Sequence, residues 1–222
     1  MEKITAAVAG ATGLVGGFVL RDLLEDPAVE RVIAPTRRPL PPHPKLVNPL
    51  FAGYAWPELS PVQEAYACLG TTRAKAGSDA AFRAVDLDLT LAFARAAKAA
   101  GARRFGLVSS VGADSTSRFL YPRVKGQAEA GVAGFGFESF VAARPSFLLG
   151  ERREPRPAEA AAVAVFLVLR PLLAGPWRKY RAVRAEDVAA ALIAAVRGRV
   201  PGTLVLESDT MNPDGGAAGI PH

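Results

Sequence analysis

Cysteine and histidine are nearly absent from this chain, with one and two among 222 residues. A lone thiol, Cys68, leaves no partner for an intrachain disulfide, so nothing points to an exported, disulfide-stapled fold. His43 falls in a proline-rich stretch and His222 at the end. A His-based catalytic triad or a histidine-rich metal site therefore has no raw material, and no metal is expected. Long apolar runs are missing too. The longest, Ala158 to Leu173, is interrupted by Glu159, Arg170 and Pro171 and falls short of the roughly 20 residues a spanning helix requires, so no stable membrane insertion is expected. The start, Met1-Glu2-Lys3-Ile4, lacks the charged-then-apolar layout of a secretory leader, and the expected setting is cytoplasmic.

Half of the residues are hydrophobic and 22% are charged, as in an ordinary globular protein, and 27 basic against 21 acidic residues leave a net charge of +6. That excess suits anionic small molecules, phosphate-rich ones in particular. It is scattered in small clumps, among them Arg37-Arg38, Arg103-Arg104 and Arg152-Arg153, with no basic stripe interleaved with aromatics. Nucleic acid is therefore not an expected partner. The length allows one complete core.

Apolar runs and helical periodicities alternate along the chain. Ile4–Ala9, Arg31–Pro35, Lys45–Leu50, Ala65–Leu69, Phe105–Ser110, Ser139–Ala143 and Thr203–Glu207 read as strands. Leu14–Leu24, Ser78–Ala100, Pro122–Ala133 and Glu186–Arg197 read as helices, with Gly101 as a C-cap. Short, fully apolar strands alternating with helices predict an α/β fold, a doubly wound parallel sheet covered on both faces. One domain is expected over residues 1–208. Residues 144–186 form an insertion capping the substrate pocket, and residues 209–222 form a poorly ordered tail.

The turn Gly10-Ala11-Thr12-Gly13-Leu14-Val15-Gly16 follows the first strand and opens the first helix, the context a dinucleotide-binding turn requires. Gly10 permits the tight turn, Gly13 lets the backbone approach a pyrophosphate, and Gly16 lets the helix pack closely. Thr12, Leu14 and Val15 stand where backbone N–H groups and the positive end of the helix dipole meet the phosphates. The second strand ends in Thr36-Arg37-Arg38, with no acid to hold the ribose hydroxyls. Two guanidiniums there suit a 2′-phosphate, so NADP(H) is expected ahead of NAD(H). Leu69, Gly70 and Thr71 close a central strand at the same edge, where the backbone passes the cofactor. Cys68 beside them reads as core.

Tyr121 and Lys125 lie one helical turn apart, after a strand ending in Ser109-Ser110. A carbonyl that receives hydride needs a proton on its oxygen, and a tyrosine hydroxyl can give one when a nearby ammonium favours the phenolate. Ser110, or alternatively Ser109, would orient the carbonyl. Pro122 pushes the residue before it out of the helical region, so Tyr121 is expected to cap the helix and not to lie in it.

Gly10–Gly16, Cys68–Gly77 and the run from Ser109 through Gly112-Ala113-Asp114 to Tyr121–Gly126 resemble the atypical short-chain dehydrogenases/reductases, and more narrowly the Tat-interacting oxidoreductase group, over residues 4–207. The resemblance implies a Rossmann fold, NADP(H) binding and a Ser-Tyr-Lys set carried by Ser110, Tyr121 and Lys125. It also implies that Arg144-Pro145 lines the nicotinamide pocket with backbone. Asn48 stands where the family usually has an acid. The implied reaction is hydride transfer with a small carbonyl or alcohol. Two alternatives stay open: a dinucleotide-binding regulator or sensor without turnover, and an epimerase or dehydratase. The apolar helix expected over Ala160–Leu169 reads as core, lid, dimer face or membrane-surface attachment, so a homodimer is also left open. Arg152-Arg153 and Trp177–Tyr180 would suit a carboxylate or phosphate on the substrate.

Overall fold

Alternation of side chains along short apolar strands dictates a sheet buried on both faces. In the first strand, Ala6 and Val8 join one core and Ala7 and Ala9 the other. The computed structural model describes residues 3–52, 56–149 and 182–211. The elements run β1 (Ile4–Ala9), α1 (Leu14–Glu25), β2 (Val29–Ile33), β3 (Leu46–Val47), β4 (Glu64–Ala67), α2 (Arg73–Ala76) and α3 (Asp79–Arg83). A π-helical turn, Ala84–Leu89, leads into α4 (Thr90–Ala99). Then come β5 (Arg104–Val108), α5 (Leu120–Ala133), β6 (Ser139–Arg144), β7 (Leu148–Leu149), β8 (Val183–Arg184), α6 (Ala185–Arg197) and β9 (Gly202–Glu207).

Seven strands form one sheet in the order β3-β2-β1-β4-β5-β6-β9, all pairs parallel. This is the doubly wound α/β fold of the Rossmann type. The strand order reverses direction between β1 and β4, and in such sheets ligands bind at that crevice, outside the carboxyl ends of the strands. One face is covered by Val15, Val19 and Leu23 of α1 with Val188, Leu192 and Val196 of α6. Phe93, Ala94 and Ala97 of α4 cover the other, packed on Phe105 and Phe140.

Four expectations change at the level of local structure. The helix expected over Ser78–Ala100 is preceded by a separate short helix, Arg73–Ala76, and its middle is a π-turn. Ser78 caps α3, its hydroxyl accepting from the Ala81 amide at 3.1 Å. Tyr121 lies inside α5 as its second residue, with Phe119 at the N-cap. Pro122 is tolerated there because a first-turn N–H has no intrahelical acceptor. Residues 148–149, within the expected insertion, pair with residues 183–184 as a small parallel ladder. The expected tail starts packed, since Met211 is buried in the main core and Thr210 donates its amide to Glu207. Most of the expected capping insertion, with Arg152-Arg153, the 158–173 run and Trp177–Tyr180, lies outside the described residues, as does the tail beyond Met211.

Candidate functional site

The glycine turn is built by backbone contacts that leave no room for a side chain. Gly10 sits at φ +82°, and a Cβ there would lie 2.5 Å from the Cys68 carbonyl oxygen. A Cβ on Gly16 would collide with the Gly10 carbonyl, and the Gly13 amide closes the turn onto that same oxygen at 2.8 Å. Gly13 is the N-cap of α1, with no side-chain cap and no acid in the first turn. The amides of Leu14, Val15 and Gly16 therefore lack side-chain acceptors at a positive helix end, and an anion is the partner they suit.

At the end of β2, Thr36 is buried, its hydroxyl donating to the Arg38 carbonyl at 2.6 Å. Asn48 staples this corner. Its Nδ2 donates to Ala34 O at 2.6 Å and to Thr36 Oγ1 at 2.8 Å, while its Oδ1 accepts the Leu40 amide at 2.9 Å. An amide can serve both roles here where a carboxylate could only accept, which accounts for asparagine in place of the usual acid. The corner turns Arg37 and Arg38 outward, and with Thr12 they line a cleft of about 350 Å³. Neither guanidinium has an ion-pair partner among the described residues. An uncapped helix end and a glycine cradle that a Cβ would fill, beside two unpaired guanidiniums, fit a nicotinamide dinucleotide.

Beyond the switch point, Cys68-Leu69-Gly70-Thr71 follows β4. Cys68 falls just past the strand and is half-buried, and burial of its thiol pushes the pKa up to about 12, so it is inert as a nucleophile. Gly70 faces the catalytic candidates, because a Cβ there would stand 3.7 Å from Asp86 Oδ1 and 3.8 Å from Lys125 Nζ. The Lys125 ammonium lies 2.7 Å from Asp86, with both side chains buried. The other Asp86 oxygen accepts the Thr71 amide at 2.9 Å. Lys125 was expected to serve Tyr121; in the structure its partner is this carboxylate.

Ser109 and Ser110 follow β5, both buried. The Ser109 hydroxyl donates to Glu129, which also receives Arg144 through Nε at 3.0 Å and Nη2 at 2.6 Å. Ser109 is thereby committed, while the Ser110 hydroxyl has no hydrogen-bond partner among the described residues. Arg144 reaches Glu207 as well, at 3.6 Å, and the Glu129 hydrogen bond foremost raises its pKa above the ordinary guanidinium value. Its side chain thus belongs to the strand ends, leaving only backbone to line a pocket. The Pro145 carbonyl accepts the Val111 amide at 3.0 Å, tying that backbone to the loop after Ser110. Tyr121 is exposed, its ring stacked on buried Phe82 at 5.6 Å between centroids.

Sequence reasoning missed Asp86 and Glu129, although each left a signal. Asp86 interrupts the apolar stripe Phe82, Leu89, Phe93, Ala97, and an acid on such a stripe is buried with a partner or not at all. Glu129 extends the four-residue spacing of Tyr121 and Lys125 by one more turn, on the same helix face.

With that geometry in view, comparison with known proteins is informative. No family model matches the chain. The mitochondrial protein fmp52 of Emericella nidulans is 41% identical over 167 residues, covering 70% of this chain and 72% of that protein. This chain belongs to the FMP52 family. The rat protein HTATIP2 is 35% identical over 175 residues, 72% of this chain and 69% of the relative, which ties the family to the Tat-interacting group the motifs resemble. The fold of this FMP52-family chain also matches that of MoeE5 in complex with UDP-glucuronic acid and NAD, with a TM-score of 0.67 and 20% identity over 92% of this chain and 76% of that one. FMP52 relatives are named mitochondrial, which overturns the expected cytoplasmic setting.

Proposed function

We propose that this protein is an NADP(H)-dependent oxidoreductase that moves hydride to or from a small carbonyl or alcohol, with Tyr121 as the acid/base. The observation that carries the reading is convergence at one sheet edge. The glycine turn after β1, the guanidinium pair after β2, Ser110 after β5 and Tyr121 and Lys125 on α5 all stand at the carboxyl ends of the strands. The fold shared with an NAD-bound structure supports the cofactor class.

In this reading the amides of Leu14, Val15 and Gly16 hold the pyrophosphate, and Arg37 and Arg38 hold the 2′-phosphate. Leu69–Thr71 and the Arg144-Pro145 backbone flank the nicotinamide end. The nicotinamide ring supplies or takes up the hydride. Ser110 donates a hydrogen bond to the substrate oxygen, and the Tyr121 hydroxyl gives that oxygen its proton or removes it. Lys125, fixed by Asp86, presents its remaining N–H donors beside Gly70. Glu129 keeps Ser109 occupied and so leaves the adjoining Ser110 free for substrate.

A second reading, a dinucleotide-dependent sensor without turnover, draws on the Lys125–Asp86 pair, because a carboxylate 2.7 Å from the ammonium offsets the charge that would favour a phenolate. Tyr121→Phe separates the two. The oxidoreductase reading expects NADPH-dependent carbonyl reduction to fall roughly a hundredfold or more, with NADPH affinity unchanged. Undiminished turnover in Tyr121→Phe contradicts it.

A further inference from the structure

We infer that Asn48 is a positioning residue for cofactor choice: it mends a gap in the β2–β3 ladder and thereby fixes the turn that presents Arg37 and Arg38. This rests on the reading of those guanidiniums as the 2′-phosphate site. The gap follows from the parallel register. On the β2 side, the amides of Val32, Ala34 and Thr36 donate in turn to the carbonyls of Lys45, Val47 and Pro49, at 2.8, 2.9 and 3.0 Å. A parallel ladder answers each such bond with an amide two residues further along the partner, as the Phe51 amide answers the Thr36 carbonyl at 3.1 Å. For Ala34 the answering residue is Pro49, which has no N–H. Ala34 is fully buried, so its carbonyl would be an acceptor with neither ladder nor water to satisfy it. Asn48 Nδ2 takes the missing amide's place, at 2.6 Å.

The same side chain carries the repair into the turn. Nδ2 also donates to Thr36 Oγ1 at 2.8 Å, and that hydroxyl, on a residue 5% exposed, donates to the Arg38 carbonyl at 2.6 Å. Oδ1 accepts the Leu40 amide at 2.9 Å. Both ends of the Arg37-Arg38-Pro39 segment are thus tied to one amide group. The two arginine side chains are exposed and have no ion-pair partner among the described residues, so their aim into the cleft beside Thr12 is set by this backbone. The glycine turn follows β1, on the opposite side of β2 from Asn48, and shares none of these bonds. Loosening the corner therefore disturbs the part of the site that meets a 2′-phosphate and spares the part that meets the pyrophosphate.

NADPH and NADH are titrated into wild type, Asn48→Ala, Asn48→Ala with Pro49→Ala, and Asn48→Ala in a background of Arg37→Ala with Arg38→Ala. The expected result is that Asn48→Ala weakens NADPH roughly tenfold and leaves NADH unchanged. Adding Pro49→Ala, which gives the ladder back its backbone amide, restores part of that loss. In the background without the two guanidiniums, Asn48→Ala costs no further NADPH affinity, because it acts only through them. If Asn48→Ala does not fold, Thr36→Val breaks the chain of bonds at its next link and carries the same expectation of a loss confined to NADPH. An unchanged ratio of NADPH to NADH affinity, whether both hold or both fall together, overturns the assignment. So does a further loss in the arginine-free background, or no recovery with Pro49→Ala. A wild type that binds NADH as tightly as NADPH is instead failure of the underlying 2′-phosphate reading, visible before any variant is compared.

Discussion

The Lys125 ammonium and the Asp86 carboxylate form a buried ion pair 2.7 Å long at the point where the loop after β4 meets helix α5. The same carboxylate accepts the Thr71 amide, so one side chain fixes both the proposed cradle and the proposed catalytic lysine. Asp86→Asn strands a buried charge. The expected cost is about 3 kcal/mol in denaturant unfolding. NADPH and NADH should weaken by the same factor, because the change is remote from the 2′-phosphate.

The crossing of α5 over the loop after β5 depends on one missing methyl group. A Cβ on Gly126 would collide with the Ser115 amide and lie 2.7 Å from Asp114 Cα. Neither neighbour is a flexible side-chain end. Gly126→Ala should destabilise the fold by about 2 kcal/mol, visible as a lower thermal midpoint. It should also reduce turnover, since Lys125 and Ser110 flank this crossing.

At the opposite end of the sheet, Arg197 donates to Asp26 and to the fully buried Glu64, which also receives Arg104 at 3.4 Å. Burial pushes Asp26 up, but the hydrogen bonds from Arg197 and the Ala28 amide outweigh it and hold the carboxyl below its usual value. A depressed folded-state pKa stabilises above the ordinary aspartate range, about 3.9, and that contribution is lost as pH falls through the folded value. Arg197→Ala should therefore flatten the acid limb of stability against pH. At neutral pH it should cost about 3 kcal/mol, because Glu64 loses one of its two guanidiniums. Equal acid limbs in the two proteins would refute this.

The sheet and the glycine turn were legible in the sequence because period-2 burial and a strand-glycine-helix order are local properties. Ile4–Ala9 and Leu14–Glu25 fall where the pattern placed them. The partners of the site residues were not legible, since pairing is set across the fold. Lys125 meets an acid 39 positions earlier, and Ser109 an acid 20 positions later. The π-turn at Ala84–Leu89 has no periodic signature, and its one trace is an acid on an apolar stripe. Pro122 misled for the opposite reason: the steric bias on the residue before a proline is a tendency that Tyr121 overrides, in a first turn where the missing N–H costs nothing.

Choice of cofactor is the central claim and has a direct measurement. The protein is titrated with NADPH and with NADH, following its intrinsic fluorescence, as wild type and as Arg37→Ala and Arg38→Ala. The predicted result is tighter binding of NADPH than NADH, with each substitution weakening NADPH by roughly tenfold to a hundredfold and leaving NADH unchanged. Equal affinity for the two dinucleotides in the wild type, or an NADPH affinity indifferent to both arginines, would contradict the account.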